Sequence, residues 1–177
     1  MLFLLEFFTG RCLVFPVNRQ STKVSGIIMK TFFGRHQYSL DTKHRLILPV
    51  AFRNLLKTEK AKYFVVTLGL DKCLYLFLPA QWEKIAEDSL SIFKSADKQK
   101  ERAFKRFFFA NALKADVDKM GRILISPVHK KYAGLKKKIT IIGVGNKAEI
   151  WDSKAWENYS AKVITPNKAK FAKIYDI

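Results

Sequence analysis

Two stretches decide how this chain is read: YSLDTKHRLILP, Tyr38 to Pro49, and ADVDKMGRILIS, Ala115 to Ser126. Each is a short alternating apolar segment, an Asp, three turn-forming residues that include a Lys, an Arg, and a second apolar run. Asp41 and Arg45 therefore correspond to Asp118 and Arg122. A motif met twice in one chain signals internal duplication, and the fold has to be read through it.

The duplication extends well past the turn. The first copy continues with VAFRNLL and KYFVVTLGLDKCLYLFLPAQWEKI, the second with PVHKKYAGL and KKKITIIGVGNKAEIWDSKAWENY. Both run in the same order: charged turn, apolar strand, Pro, short helix, apolar strand, Gly turn, second strand, helix with Trp. Gly69 matches Gly145 and Trp82 matches Trp156. Two copies are too few for a solenoid. They predict a pseudo-symmetric domain, or two small domains that share an interface.

Periodicity fills in the elements. Phe32 to Leu40 reads as a strand approaching the first turn, and Arg45 to Leu48 as the return strand stopped by Pro49. Ala51 to Leu56 is a short helix. Tyr63 to Leu68 and Cys73 to Leu78 are β-rich runs joined by a turn at Gly69 to Lys72. Pro79 opens a helix that carries Trp82, Ile85 and Ala86 on one face. Asp97 is placed to cap a linker helix through Arg106, with Ala103, Phe104, Phe107 and Phe108 at helical spacing. The run Phe107 to Phe109 is then expected to lead into the strand before the second turn.

In the second half, Ile123 to Ile125, Lys138 to Val144 and Ala148 to Trp151 read as strands. Asp152 or Ser153 caps a helix bearing Trp156 and Tyr159. The expected class is α+β, dominated by strands. The expected layout is an extension at 1–28, a first unit at 29–87, a helical linker at 88–105, a second unit at 106–160 and a Lys-rich, weakly helical tail at 161–177.

The charged turns carry the chemistry. An Asp at the first turn position bonds backbone N–H groups ahead of it, so Asp41 and Asp118 are read as turn organisers. Gly121 is free to take positive φ. The first copy has His44 there, which tolerates left-handed geometry less well than Gly but better than a β-branched residue. Arg45 and Arg122 have two readings. In one, each pairs with an Asp and stiffens the turn. In the other, each points outward and binds DNA, since Arg pairs bidentately with guanine O6 and N7 and also forks onto phosphate. The two readings are compatible, because an Asp that orients an Arg also preorganises it. Lys43, Lys119 and Arg35 are read as phosphate contacts, which set register without reading sequence. His44, inside a basic turn, is a further candidate phosphate contact.

Charge points the same way. The chain of 177 residues carries 33 Lys and Arg against 15 Asp and Glu, a net charge of +18. Residues 1–28 contribute three Arg/Lys and one Glu, so the rest still carries 30 − 14 = +16. A field of that size attracts polyanions and speeds encounter with them. Apolar residues make up 49%, the share of a globular chain with a real core. The two Cys, Cys12 and Cys73, lie far apart and near no His pair. That pattern argues against a disulfide framework or zinc knuckle and fits a reducing cytoplasm.

The opening segment, MLFLLEFFTGRCLVFPVNRQ, reads differently from the rest. Glu6 interrupts its apolar start, no basic segment precedes it and no small-x-small cleavage site is clear. It is also too short and broken to span a bilayer. It is expected to lie outside the fold, with Met29 a candidate start.

Other chemistries find little support. His36, His44 and His129 have no second His or Cys at i, i+3 or i+4, so no metal site is expected. The GVG at Gly143 to Gly145 precedes a polar turn and a strand rather than a helix, so it reads as a tight turn and not a nucleotide fingerprint. No Walker motif, nucleophile elbow or spaced carboxylate pair appears, and no catalysis, cofactor or small-molecule substrate is expected. Phe104 and Phe107 to Phe109 are read as core, and Trp82 and Trp156 as core or protomer-contact residues.

The strings GRHQYSLDTKHRLILPVAFR, FVVTLGLDKCLYLFLPAQWEKI, RFFFANALKADVDKMGRILISP and IIGVGNKAEIWDSKAWENY closely resemble the MraZ family of bacterial transcriptional regulators, which have two tandem SpoVT/AbrB-like domains. The resemblance runs from about Met29 to Tyr159. It implies a swapped-hairpin β architecture in each half and protomers assembled into rings. It also implies binding to G-rich direct repeats upstream of the chain's own division and cell wall operon, mostly as a repressor. The family's Asp-x-x-x-Arg motif falls on Asp41 and Arg45 and again on Asp118 and Arg122. The sequence departs from the family at His44, where Gly is usual, and at Ser126, where Pro is expected. The first departure predicts a first turn of different shape.

The expected partners are thus double-stranded DNA from the chain's own promoter and further copies of itself, with no membrane. The expected location is the cytoplasm, in association with the nucleoid. Two other readings compete: a basic RNA-binding or ribosome-associated protein acting through shape and phosphate alone, and an AbrB-type antitoxin. The duplicated domain counts against the antitoxin.

Overall fold

The computed structural model describes residues 31–88 and 97–176. The reading of residues 1–28 as an extension, and part of the linker reading, lie outside the described residues. The first repeat supplies β1 (Arg35–Ser39), β2 (Arg45–Ile47), α1 (Val50–Thr58), β3 (Tyr63–Leu68), β4 (Leu74–Phe77) and α2 (Pro79–Glu87). A connecting helix, α3 (Lys98–Ala110), follows. The second repeat supplies β5 (Leu113–Asp116), β6 (Arg122–Leu124), α4 (Pro127–Tyr132), β7 (Lys138–Gly143), β8 (Ala148–Asp152) and α5 (Ser153–Tyr159). A π-helical turn, Ser160–Ile164, joins α5 to the C-terminal α6 (Thr165–Tyr175).

The strands form a six-stranded sheet in the order β1-β7-β8-β4-β3-β5 and a separate ribbon of β2 and β6. Every pairing is antiparallel. The order is palindromic in repeat equivalents, since β1 corresponds to β5, β7 to β3 and β8 to β4. A pseudo-twofold axis therefore passes between β4 and β8, and again between β2 and β6. Each repeat lends its first strand to the other: β1 pairs with β7, and β5 pairs with β3. This is the strand exchange of a swapped-hairpin fold, closed within one chain.

Alternation puts the apolar set inside. Leu46, Leu48, Ile123 and Ile125 are all buried, as are Phe64, Leu74, Leu76, Ile139, Ile141 and Ile150. Phe32 packs edge-on against Phe52 of α1 at 4.9 Å. Gly143 lets the Phe32–Phe33 backbone cross β7 closely, where any side chain would collide with main chain. Gly143 N donates to Gly34 O at 2.8 Å at this crossing. The GVG segment ends β7 and enters a turn closed by Val144 N to Lys147 O, as its spacing predicts.

Three local features differ from the sequence reading. First, α3 runs to Ala110 and absorbs Phe107 to Phe109. Phe104 stacks on Phe108 at 5.8 Å, Phe108 on Trp82 at 5.4 Å, and Phe107 meets Tyr132 at 6.0 Å. The buried Thr67 hydroxyl donates to Phe108 O at 2.7 Å, so a strand partner binds the helix's late carbonyl. Packing thus overrides the β preference of the aromatic run. Second, the tail expected to be helical is a helix over Thr165–Tyr175, but it is entered through a π turn, Ser160–Ile164, that the sequence reading did not include. Pro166 has no N–H to donate back along the helix, and a widened turn is one way a helix absorbs that loss. Third, Ser126 caps α4, its hydroxyl accepting from His129 N at 3.2 Å, and Pro127 takes the first helical position. The Ser-for-Pro departure therefore starts the helix by another route.

Candidate nucleic-acid interface

The two charged turns are built alike. In the first, Asp41 N donates to Arg45 O and His44 N to Asp41 O, both at 3.0 Å. In the second, Asp118 N donates to Arg122 O and Gly121 N to Asp118 O, both at 2.9 Å. His44 has φ of 59° and Gly121 of 77°. This is the pattern of a three-residue hairpin loop in which the last loop residue is left-handed. His44 thus adopts the backbone geometry of its Gly counterpart, and the expectation of a differently shaped first turn is not met.

Each Asp accepts hydrogen bonds from the amides of its own turn. Asp41 Oδ1 accepts from the amides of Lys43 at 2.9 Å and Arg45 at 2.8 Å, and Oδ2 accepts from Arg45 Nε at 2.7 Å. Asp118 Oδ1 accepts from Met120 and Arg122 amides, both at 2.9 Å, and Oδ2 accepts from Arg122 Nε at 2.7 Å. Hydrogen bonds to a charged carboxylate favour its ionised form. Both groups accordingly titrate below the ordinary Asp value of 3.8, Asp41 chiefly through the Arg45 amide and Asp118 chiefly through the Arg122 guanidinium.

The pairing leaves a usable edge on each Arg. A guanidinium has five N–H donors in a fixed fork. Asp takes the Nε side; in the second turn Arg122 Nη2 also reaches Asp118 Oδ2 at 2.7 Å. The end formed by Nη1 and Nη2 remains, and it is an edge that can pair with guanine or fork onto phosphate. The Asp fixes the direction in which that edge points.

Strand register sets the two Arg side by side. In the β2–β6 ribbon, Arg45 lies opposite Leu124, Leu46 opposite Ile123 and Ile47 opposite Arg122. Leu46 and Ile123 are fully buried and define the inner face. The outer face therefore carries Arg45, Ile47, Arg122 and Leu124, with the Arg on one diagonal and the aliphatic pair on the other. Diagonal neighbours stand about 7–8 Å apart. Ile47 is 39% exposed and Leu124 64%, so this face is open.

Ladder ends tie each turn to the other repeat. Ile125 N donates to His44 O at 2.9 Å, and Leu48 N donates to Gly121 O at 3.0 Å.

The remaining sequence candidates divide by place. Lys43 and Lys119 are exposed within the turns. Arg35 is exposed at the opposite end of β1, six residues from Asp41 and so about 20 Å away at the rise of a strand. The structure does not bring it to the turns. The His44 ring is half-buried, and its Nε2 lies 2.9 Å from Lys130 Nζ. An ammonium can only donate, so that ring nitrogen is the acceptor.

Sequence reasoning missed two residues, Arg53 and Lys130. Arg53, on α1, rests against Gly121, and Lys130, on α4, reaches His44. The one signal in the sequence is their equivalent spacing, four residues beyond Pro49 and Ser126.

Among the described residues, no group of three or more His, Cys, Asp or Glu is placed to hold a metal ion. His129 is buried, with Nε2 2.8 Å from Asn111 O. No described helix is long and apolar enough to cross a membrane. Trp82 packs among Phe77, Phe108 and Phe109, and Trp156 between Trp151 and Tyr159.

Comparison with known proteins agrees with the duplicated fold. A family model described as "MraZ protein, putative antitoxin-like" matches twice, over residues 31–107 and 108–175. The "Transcriptional regulator MraZ" of Acetivibrio thermocellus is 44% identical over 129 residues, which cover 73% of this chain and 86% of the relative. The protein of that name from Pelotomaculum thermopropionicum is 40% identical over 147 residues, covering 82% and 97%. The one from Pediococcus pentosaceus is 43% identical over 126 residues, covering 71% and 84%. With both repeats matched in order and most of each relative spanned, this chain belongs to the MraZ family.

Proposed function

We propose that this chain is a transcriptional regulator that binds double-stranded DNA sequence-specifically through its two Asp–Arg turns. The observation that carries the reading is the outer face of the β2–β6 ribbon. A major groove about 12 Å wide admits a two-stranded ribbon, and this ribbon presents two oriented guanidinium groups beside two exposed aliphatic side chains. Arg end groups suit guanine, and aliphatic groups suit the thymine methyl. Lys43 and Lys119 supply phosphate contacts, which fix register and make affinity salt-dependent. The name shared by the relatives supports a role in transcription.

The finer reading rests on the family resemblance. The chain represses its own division and cell wall operon by binding G-rich direct repeats in the promoter. It acts in the cytoplasm at the nucleoid, as a ring-shaped homo-oligomer. Spaced repeats suit an assembly that offers one turn pair after another, because linked contacts raise avidity without new chemistry.

Mutation of the turns tests the reading. Replacing Arg45 or Arg122 with Ala should weaken specific binding by about 1–3 kcal/mol each. Fluorescence anisotropy on the duplex upstream of the gene gives the affinities. Unchanged specific binding by the Arg45→Ala, Arg122→Ala double variant rejects the readout role.

A further inference from the structure

We propose that Arg53 and Lys130 are DNA-phosphate contacts delivered in trans, each carried by one repeat's helix onto the other repeat's turn. The inference rests on the DNA-binding reading above and adds two residues to its surface.

The first observation is geometric. Arg53 sits in the first turn of α1, its amide donating to Pro49 O at 3.1 Å. Its Nε donates to Leu48 O at 3.2 Å, which anchors the guanidinium stem. A Cβ built on Gly121 would lie 2.5 Å from Arg53 Nη1, 2.6 Å from Cδ and 2.7 Å from Cζ. The side chain of the first repeat therefore lies on the left-handed residue of the second repeat's turn. Lys130 repeats the arrangement across the pseudo-twofold axis. Its amide donates to Ser126 O at 2.9 Å, and its Nζ meets the ring of His44, the left-handed residue of the first repeat's turn.

The second observation is charge. Among the described residues, no carboxylate ion-pairs with Arg53 or Lys130. Asp41 and Asp118, the acidic groups of the turns, are held by their own Arg. Both cations are half-buried. A partly desolvated cation with no counter-charge is costly, and a polyanion approaching the turns would offset that cost. Arg53 spends Nε on the protein and keeps its Nη donors, which suit a phosphate oxygen. Lys130 has an imidazole and not a carboxylate as its partner, which leaves its charge uncompensated. Each turn would thus meet DNA with its own Arg and Lys and with one cation from its twin.

The test uses the full chain and compares Arg53→Met, Arg53→Lys and Lys130→Met with wild type. Anisotropy is read on the promoter duplex and on a scrambled duplex through a salt series. Each Met variant should lower the slope of log affinity against log salt by about 1 and weaken both duplexes by the same factor. Arg53→Lys should keep the slope. In double-variant cycles, the loss from Arg53→Met should add to the losses from Arg45→Ala and Arg122→Ala. Urea unfolding shows that each variant is folded, and Lys130→Met gives an independent arm if Arg53→Met is not.

Met variants with wild-type slope and affinity would overturn the inference. So would a loss confined to the promoter duplex, which would make these residues props for the reading Arg. Salt-independent or absent duplex binding by wild type would instead overturn the DNA-binding reading itself.

Discussion

Replacing Gly121 with Ala puts the geometry of the second turn to a quantitative test. Gly121 has φ of 77°, a conformation that costs an L-residue about 1–2 kcal/mol. Its new Cβ would stand 2.5 Å from Arg53 Nη1, so the guanidinium must move. That motion breaks the Arg53 Nε to Leu48 O bond of 3.2 Å, worth about 0.5–1.5 kcal/mol net. Ala also restricts the unfolded chain and returns about 0.4–1 kcal/mol. The balance is a loss of about 0.5–3 kcal/mol.

The partner change, His44→Gly, has no such asymmetry. Relief of a left-handed residue at φ 59° is offset by a freer unfolded chain and by loss of the contact with Lys130, and stability should stay within about 1 kcal/mol of wild type. Urea unfolding followed by far-UV circular dichroism measures both. A Gly121→Ala chain as stable as wild type, or His44→Gly as the costlier change, would refute the turn geometry and the placement of Arg53.

Other consequences follow from the ribbon, the carboxylates and the buried thiol. Leu46→Ala or Ile123→Ala should each cost about 2–5 kcal/mol in urea unfolding, since both side chains are fully buried and face each other across the pseudo-twofold axis; a loss below about 1 kcal/mol would contradict that packing. Asp41 and Asp118 have folded pKa values below 3.8, so their contribution to stability is complete above the unfolded value and is lost as pH falls through the folded one. Carboxyl-carbon NMR titration should show both midpoints under 3.8, and a midpoint at or above it would mean the turn bonds are absent. Burial pushes the Cys73 thiol up to about 12. In a Cys12→Ser background, Cys73 should resist a thiol reagent at pH 8 until the chain unfolds, and rapid native-state reaction would contradict its burial.

What could be read from the sequence was local. The Asp four residues before an Arg, the left-handed position between them and the strand that follows all lie within one short segment, so residue chemistry alone predicts the hairpin. The alternation of Leu46 and Leu48 with Ile47 shows which face is buried. It does not show which strand lies alongside, because alternation assigns faces and not partners. The resemblance implied a swapped hairpin in each half, and the pairing of β1 with β7 and of β5 with β3 across the halves emerged only in the folded chain.

Arg53 and Lys130 escaped notice for the same reason. Each acts on a turn far away in sequence, and nothing in VAFRNLL or PVHKKY marks a basic residue that crosses to the other repeat. The aromatic run at Phe107 to Phe109 misled in another way. Its β preference is real, but Trp82, Tyr132 and the Thr67 hydroxyl hold it in a helix, and those partners lie well removed along the chain. His44 shows the converse, since the backbone adopts the left-handed turn without the Gly usually found there.

The most direct test is competition binding by fluorescence anisotropy at moderate salt. The probe is the duplex upstream of this chain's own gene, and the competitors are a scrambled duplex and an RNA of equal length. Sequence-specific recognition through the ribbon predicts a preference for the upstream duplex of roughly a thousandfold or more. Equal affinity for all three would contradict it and assign the positive charge to non-specific binding of nucleic acid.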